Sequence, residues 1–178
     1  ANLVYTSSLD ETVKLWDLRS NKGGSPVRQF TSAVEDPKAK KPTKKPLTAF
    51  DVNANDTFIC AGTEKVVHDT FLLFFDARQS GQPMGGYWDS HEDDITTVAF
   101  HPNDPNRLAA GGTDGIINVF DISQASEDDA LVTSSNTESS VQKLKWFAKS
   151  SDDINCLACI THTEELLLWD VDDFGPFK

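Results

Sequence analysis

The residues of this 178-residue chain that could do chemistry are three cysteines, several acidic clusters and one run of lysines. Cys156-Leu157-Ala158-Cys159, followed by His162, has the local spacing of a metal or redox pair. A four-ligand zinc site needs a second pair, and the third cysteine, Cys60, stands alone in the sequence. The stretch also reads as a strand, where positions three apart point to opposite faces. Two buried strand cysteines are the better reading, so neither a metal nor any other cofactor is expected. The clusters Glu92-Asp93-Asp94, Glu127-Asp128-Asp129 and Asp172-Asp173 lack the spaced ligands of a calcium loop and read as solvated loop charge. The chain contains no Gly-x-Ser-x-Gly elbow, no phosphate loop ending in Gly-Lys-Ser/Thr and no His-Glu-x-x-His. These residues point away from an enzyme and toward a binding protein.

Lys38, Lys40, Lys41, Lys44 and Lys45 place five of the sixteen basic residues in eight positions, with no acid among them. Pro37, Pro42 and Pro46 keep this stretch extended. An exposed, extended lysine cluster suits a nuclear-import receptor, and nuclear or nucleocytoplasmic residence is expected from it. A solvated insertion, with the cytoplasm as the location, is the competing reading. Overall the chain carries a net charge of -12, which argues against direct nucleic-acid binding, since that needs cations to displace counterions from phosphates. No apolar run approaches the ~20 residues of a helical membrane span, and no membrane partner is expected. Three cysteines cannot all pair within one chain, which favours a reducing compartment.

The elements that must position such residues repeat along the chain. An aromatic-Asp pair closes an alternating apolar stretch four times, at Trp16-Asp17, Phe75-Asp76, Phe120-Asp121 and Trp169-Asp170, at intervals of 59, 45 and 49 residues. Those intervals lie near the ~40–45 residues of one four-stranded propeller blade, with room for inserted loops. Upstream of the pairs an apolar strand leads through small residues into a turn. Asp10 and Asp114 each stand six residues before their aromatic, where an Asp side chain can stabilise the turn. With these motifs the chain resembles the WD-repeat family of β-propellers over nearly its whole length. A closer resemblance, to one orthologue group within the family, is carried by Phe50-Asp51-Val52-Asn53, Ile59-Cys60-Ala61-Gly62-Thr63 and Phe74-Phe75-Asp76-Ala77-Arg78.

The resemblance implies an all-β fold. Fourteen strands are expected, making about three and a half four-stranded antiparallel blades of a larger, seven-bladed ring. Residues 1–36 would end one blade, 37–45 form the basic loop, 46–90 a second blade, 91–136 a third and 137–178 most of a fourth. The stretch Phe174-Gly175-Pro176-Phe177 is expected to be a poor strand, because Pro lacks the ladder donor.

The family's hydrogen-bonded tetrad would map onto Thr6, Asp10 and Trp16 in the first blade, His91 and Asp114 in the third and Trp169 in the fourth. These are structural roles. A non-enzymatic scaffold binding other proteins is the function implied. The second reading comes from Trp16-Asp17-Leu18-Arg19 and its echo Phe75-Asp76-Ala77-Arg78. In the family, such a box recurs in substrate receptors that dock on the adaptor of cullin-RING ubiquitin ligases. Under that reading Asp17, Arg19, Asp76 and Arg78 bind the adaptor; otherwise each Arg pairs with a local carboxylate or with water.

Overall fold

The computed structural model describes residues 2–19, 24–33, 45–66, 68–150, 154–172 and 175–176. They form four antiparallel sheets and almost no helix. The first sheet holds β1 (Leu3–Ser8), β2 (Thr12–Asp17) and β3 (Arg28–Thr31). β4 (Leu47–Val52), β5 (Phe58–Thr63), β6 (Leu72–Asp76) and β7 (Gly85–Tyr87) make the second. The third contains β8 (Ile95–Phe100), β9 (Arg107–Gly112) and β10 (Ile116–Asp121); a one-turn helix α1 (Glu127–Ala130) then leads into β11 (Leu131–Asn136). The last has β12 (Val141–Phe147), β13 (Cys156–Thr161), β14 (Leu166–Asp170) and β15 (Gly175–Pro176). Strands follow chain order in every sheet, as in a meander.

Two details differ from the sequence reading. There are fifteen strands among the described residues, because Gly175–Pro176 does pair with β14. A two-residue strand at a sheet edge can hold a Pro, since one side of the strand has no ladder to complete. Glu127-Asp128-Asp129, read as loop charge, instead forms the one-turn helix that leads into the outer strand of the third sheet, because Ser126 caps α1 and Ala130 closes its single turn.

The apolar core lies between successive sheets. Val13 and Phe30 meet Leu47, Ile59 and Phe75; Cys60 and Leu72 meet Ile95, Phe100 and Leu108; Ala99 and Ile117 meet Val141, Trp146 and Leu157. The inner strands repeat one device. β4, β8 and β12 each break register at their second residue, around Thr48, Thr96 and Gln142. The Thr48 hydroxyl thereby bonds the Gly62 carbonyl of its own sheet and Ile95 O of the next. Thr96 does the same with Gly111 O and Val141 O. Beside these hydroxyls stand glycines whose missing side chain makes room. A Cβ on Gly62 would lie 2.4 Å from Ile95 Cγ2, and one on Gly111 would lie 2.7 Å from Val141 Cγ1.

Polar links cross the same boundaries farther along the strands. Asp51 Oδ2 accepts Phe100 N at 2.7 Å, and Asn53 Nδ2 donates to Pro105 O at 3.1 Å. His101 accepts Asn103 N and Asp104 N on Nδ1, leaving Nε2–H to donate to Ile154 O in the last sheet. Trp146 Nε1 donates back to Ala99 O at 3.0 Å. The sheets are therefore stitched by directional bonds as well as by packing, which fixes where their loops can stand.

Candidate functional site

The aromatic-Asp pairs end strands β2, β6, β10 and β14, and each Asp does the same local work. Its Oδ1 accepts the backbone N–H two residues on: Arg19 N at 2.9 Å, Arg78 N at 2.9 Å, Ser123 N at 3.0 Å and Asp172 N at 3.1 Å. An Asp side chain mimics a backbone turn in this way, which explains its place at the end of each strand. In the first two sheets the following Arg folds back on the same carboxylate. Arg19 donates through Nε at 3.1 Å and Nη2 at 3.2 Å to Asp17, and Arg78 at 2.8 and 2.9 Å to Asp76. Hydrogen bonds from Arg78 hold the Asp76 carboxyl down to about 2, and those from Arg19 lower Asp17. Both arginines stay on the surface, with about two-thirds of each side chain exposed, at 68% and 66%. The structure thus places each Arg on its own Asp.

The tetrad positions are partly joined. Trp16 Nε1 donates to Thr6 Oγ1 at 2.9 Å, but Asp10 turns instead to Thr12 and Lys14. His91 Nδ1 lies 3.0 Å from Asp114 Oδ2, and Asp114 also accepts Glu92 N and Ile116 N. Burial raises the Asp114 carboxyl, but the His91 bond and charge together with the backbone donors outweigh it and leave it below the usual range. His91 Nε2 and Trp169 Nε1 are buried without a hydrogen-bond partner among the described residues. Ala110 and Phe120 stand where the family pattern has the hydroxyl and the indole, so the third sheet keeps half of the network.

Of the five lysines, Lys38, Lys40, Lys41 and Lys44 lie outside the described residues. Lys45 does not share in an exposed cluster: it is 2% exposed. Its ammonium donates to Val66 O and Asp69 O and sits 4.0 Å from the Phe71 ring centroid. Burial lowers its pKa. Its apolar stem and a carbonyl pair inside the fold win over solvent here, which the flanking lysines in the sequence disguised. Lys45 anchors the 64–69 loop, and Lys65 N donates to Asp94 Oδ1 at 2.7 Å. The segments around Lys65 and Asp94 are therefore hydrogen-bonded neighbours.

Glu127 was missed. Read from sequence as solvated charge, it reaches across to the preceding sheet's exit loop. There its carboxylate accepts Trp88 N at 2.7 Å, Asp89 N at 3.1 Å and the Ser90 hydroxyl. The available signal was local: Ser126 followed three residues later by Asp129 is a helix-start pattern, and a short helix can project its first side chain outward. Beside this latch opens a cleft of about 470 Å³, lined by the carboxylates of Asp89, Glu92, Asp114, Glu127 and Asp128 over Ile116 and Leu131. No basic side chain lines it. Asp114 and Glu127 are engaged as above, while Asp89, Glu92 and Asp128 have no ion-pair partner among the described residues.

The cysteines are as the sequence suggested. Cys60, Cys156 and Cys159 are buried, and burial pushes Cys159 up to about 11 and Cys60 well above the usual thiol value. Among the described residues no group of three or more His, Cys, Asp or Glu side chains is placed to hold a metal ion, and no helix is long and apolar enough to cross a membrane.

Comparison with known proteins places this architecture. Residues 83–121, from the edge of β7 through β10, match the WD40 family described as "WD domain, G-beta repeat". The chain belongs to the WD-repeat family. Its WD-repeat relatives include the WD repeat-containing protein 89 homolog of Dictyostelium discoideum, the group to which the Phe50–Asn53 and Ile59–Thr63 residues pointed. That protein is 29% identical over 171 residues, 96% of this chain and 40% of its own length. An uncharacterized WD repeat-containing protein of Saccharomyces cerevisiae is 32% identical over 130 residues, 73% of this chain and 30% of its own. Among solved structures, Chaetomium thermophilum Sqt1 bound to the N-terminus of the ribosomal protein L10 superposes with a TM-score of 0.72 at 21% identity. The match covers 99% of this chain and 45% of that one. This chain spans less than half the length of each of these proteins.

Proposed function

We propose that this WD-repeat chain contributes to a non-enzymatic scaffold that holds a basic segment of another protein. The observation that carries the reading is the acidic cleft between the 88–92 loop and the third sheet. It offers three uncompensated carboxylates above an apolar wall, on elements stitched rigidly to their neighbours. A Lys or Arg stem can lie on Ile116 and Leu131 while its charge meets Asp89, Glu92 or Asp128. The Sqt1 structure, with a protein N-terminus bound to the same architecture, supports a peptide segment as the kind of ligand. The test is titration with a lysine-rich peptide and with its glutamate-substituted counterpart. Binding of the basic peptide should weaken with salt, and Glu92→Lys together with Asp128→Lys should reduce affinity by roughly tenfold or more. Equal binding of both peptides would refute the assignment.

The second reading, docking on a cullin-RING ligase adaptor, is favoured by one observation: Arg19 and Arg78 occupy equivalent, exposed positions on adjacent sheets. Each must leave its own Asp to reach a partner. Co-precipitation of the adaptor by the wild-type protein, lost on Arg19→Ala with Arg78→Ala, would favour this account over the first.

A further inference from the structure

We infer that Ser126 is a phosphorylation site for an acidophilic, ATP-dependent serine kinase, and that its modification releases the Glu127 latch. Three observations combine. Ser126 is exposed and lies on the segment between β10 and β11. The three residues after it are Glu127, Asp128 and Asp129, a block of negative charge immediately C-terminal to a hydroxyl. A kinase with a basic substrate groove selects its serine by that charge pattern. The hydroxyl also has a structural task. It accepts Asp129 N at 3.2 Å and donates to Asp129 Oδ2 at 2.7 Å, while Ser126 O accepts Ala130 N at 3.0 Å. Those bonds close the single turn of α1 from which Glu127 reaches Trp88 N, Asp89 N and Ser90 Oγ.

The chemistry is a phosphoryl transfer. The Ser126 Oγ–P bond forms as the bond from the γ-phosphorus to the β,γ-bridging oxygen of ATP breaks. ADP leaves, and the hydroxyl proton passes to the kinase's base. The product has lost the proton that Ser126 donated to Asp129 Oδ2, and it sets a near-dianion against that carboxylate. Like-charge repulsion at this distance opens a one-turn helix that has no further turns to hold it. No lysine or arginine lines the adjoining cleft to receive the phosphate, so release rather than re-docking is the outcome. Glu127 then leaves the 88–90 loop, and the cleft wall it forms becomes mobile.

The experiment treats the protein with an acidophilic serine kinase and ATP, maps phosphate by peptide mass spectrometry, and compares amide exchange before and after. Phosphate at Ser126 is expected, absent in Ser126→Ala, and the Trp88 and Asp89 amides should exchange roughly tenfold faster in the phosphorylated wild type. Comparing wild type with itself avoids the cap that Ser126→Ala removes. Phosphate at other positions alone would overturn the site. Phosphate at Ser126 with unchanged exchange at Trp88 and Asp89 would overturn the release.

Discussion

Replacing Gly62 by Ala tests whether the blade boundary is built on close approach. The added Cβ would lie 2.4 Å from Ile95 Cγ2 and 2.8 Å from Ile95 Cβ, both inside the closest contact that Cβ atoms make. Ile95 is 1% exposed, and its Cβ is fixed to the backbone of β8, so rotation of the side chain cannot clear both overlaps. The third sheet must shift, which strains the Thr48–Ile95 bond as well. Overpacking of a close-packed core costs about 1–3 kcal/mol, and the backbone component puts Gly62→Ala near 3. Gly111→Ala meets Val141 Cγ1 at 2.7 Å, with Leu144 Cδ1 and Thr97 Cγ2 at 3.2 Å, and should cost about 1–2 kcal/mol, because only side-chain atoms must give. Gly85→Ala has nothing within 4 Å and should stay within about 0.5 kcal/mol. Urea denaturation followed by tryptophan fluorescence reads all three as midpoint shifts. A cycle adds the decisive control: Ile95→Ala alone costs about 2–5 kcal/mol, but less in the Gly62→Ala background, with a coupling of at least about 1. If Gly62→Ala matches Gly85→Ala, or if the two substitutions add, the boundary does not depend on this contact.

The other predictions concern single groups. Asp114 titrates below its unfolded value, so its contribution is present above about pH 4 and lost as pH falls through the folded pKa. Asp114→Asn should cost about 1–3 kcal/mol at neutral pH and flatten the acid limb of a stability-pH curve. Cys60 and Cys159 should resist alkylation at about pH 8 in the folded protein and react on unfolding, as mass spectrometry would show. Glutamine at Lys38, Lys40, Lys41 and Lys44 should shift the protein toward the cytoplasm, and an unchanged distribution on imaging would end the import proposal. Lys45→Gln should instead destabilise by about 1–3 kcal/mol, since it removes the ammonium from two carbonyls and the Phe71 face.

The sequence by itself determined every strand but the last, their order and the turns that the aromatic-Asp pairs make. Each is a local matter: alternation of period two in runs such as Val13-Lys14-Leu15-Trp16, and an Asp that turns the chain two residues later, as Asp17, Asp76, Asp121 and Asp170 do. Even Arg19 and Arg78 were half legible, since their partner is two residues away and a local carboxylate was one of the two expected outcomes. Only the tertiary structure decided which charges are solvated. Lys45 sits in a lysine run yet is buried against carbonyls more than 20 residues on, and Glu127 sits in an acidic run yet reaches an amide 39 residues back. Nothing in the sequence marks the glycines at 62 and 111 for close approach, which arises only where the next sheet packs on them. The physical reason is common to all four positions. Local propensity depends on neighbours in sequence, whereas burial, close approach and the pairing of a charge depend on what another sheet brings within a few ångströms, and composition carries no record of that.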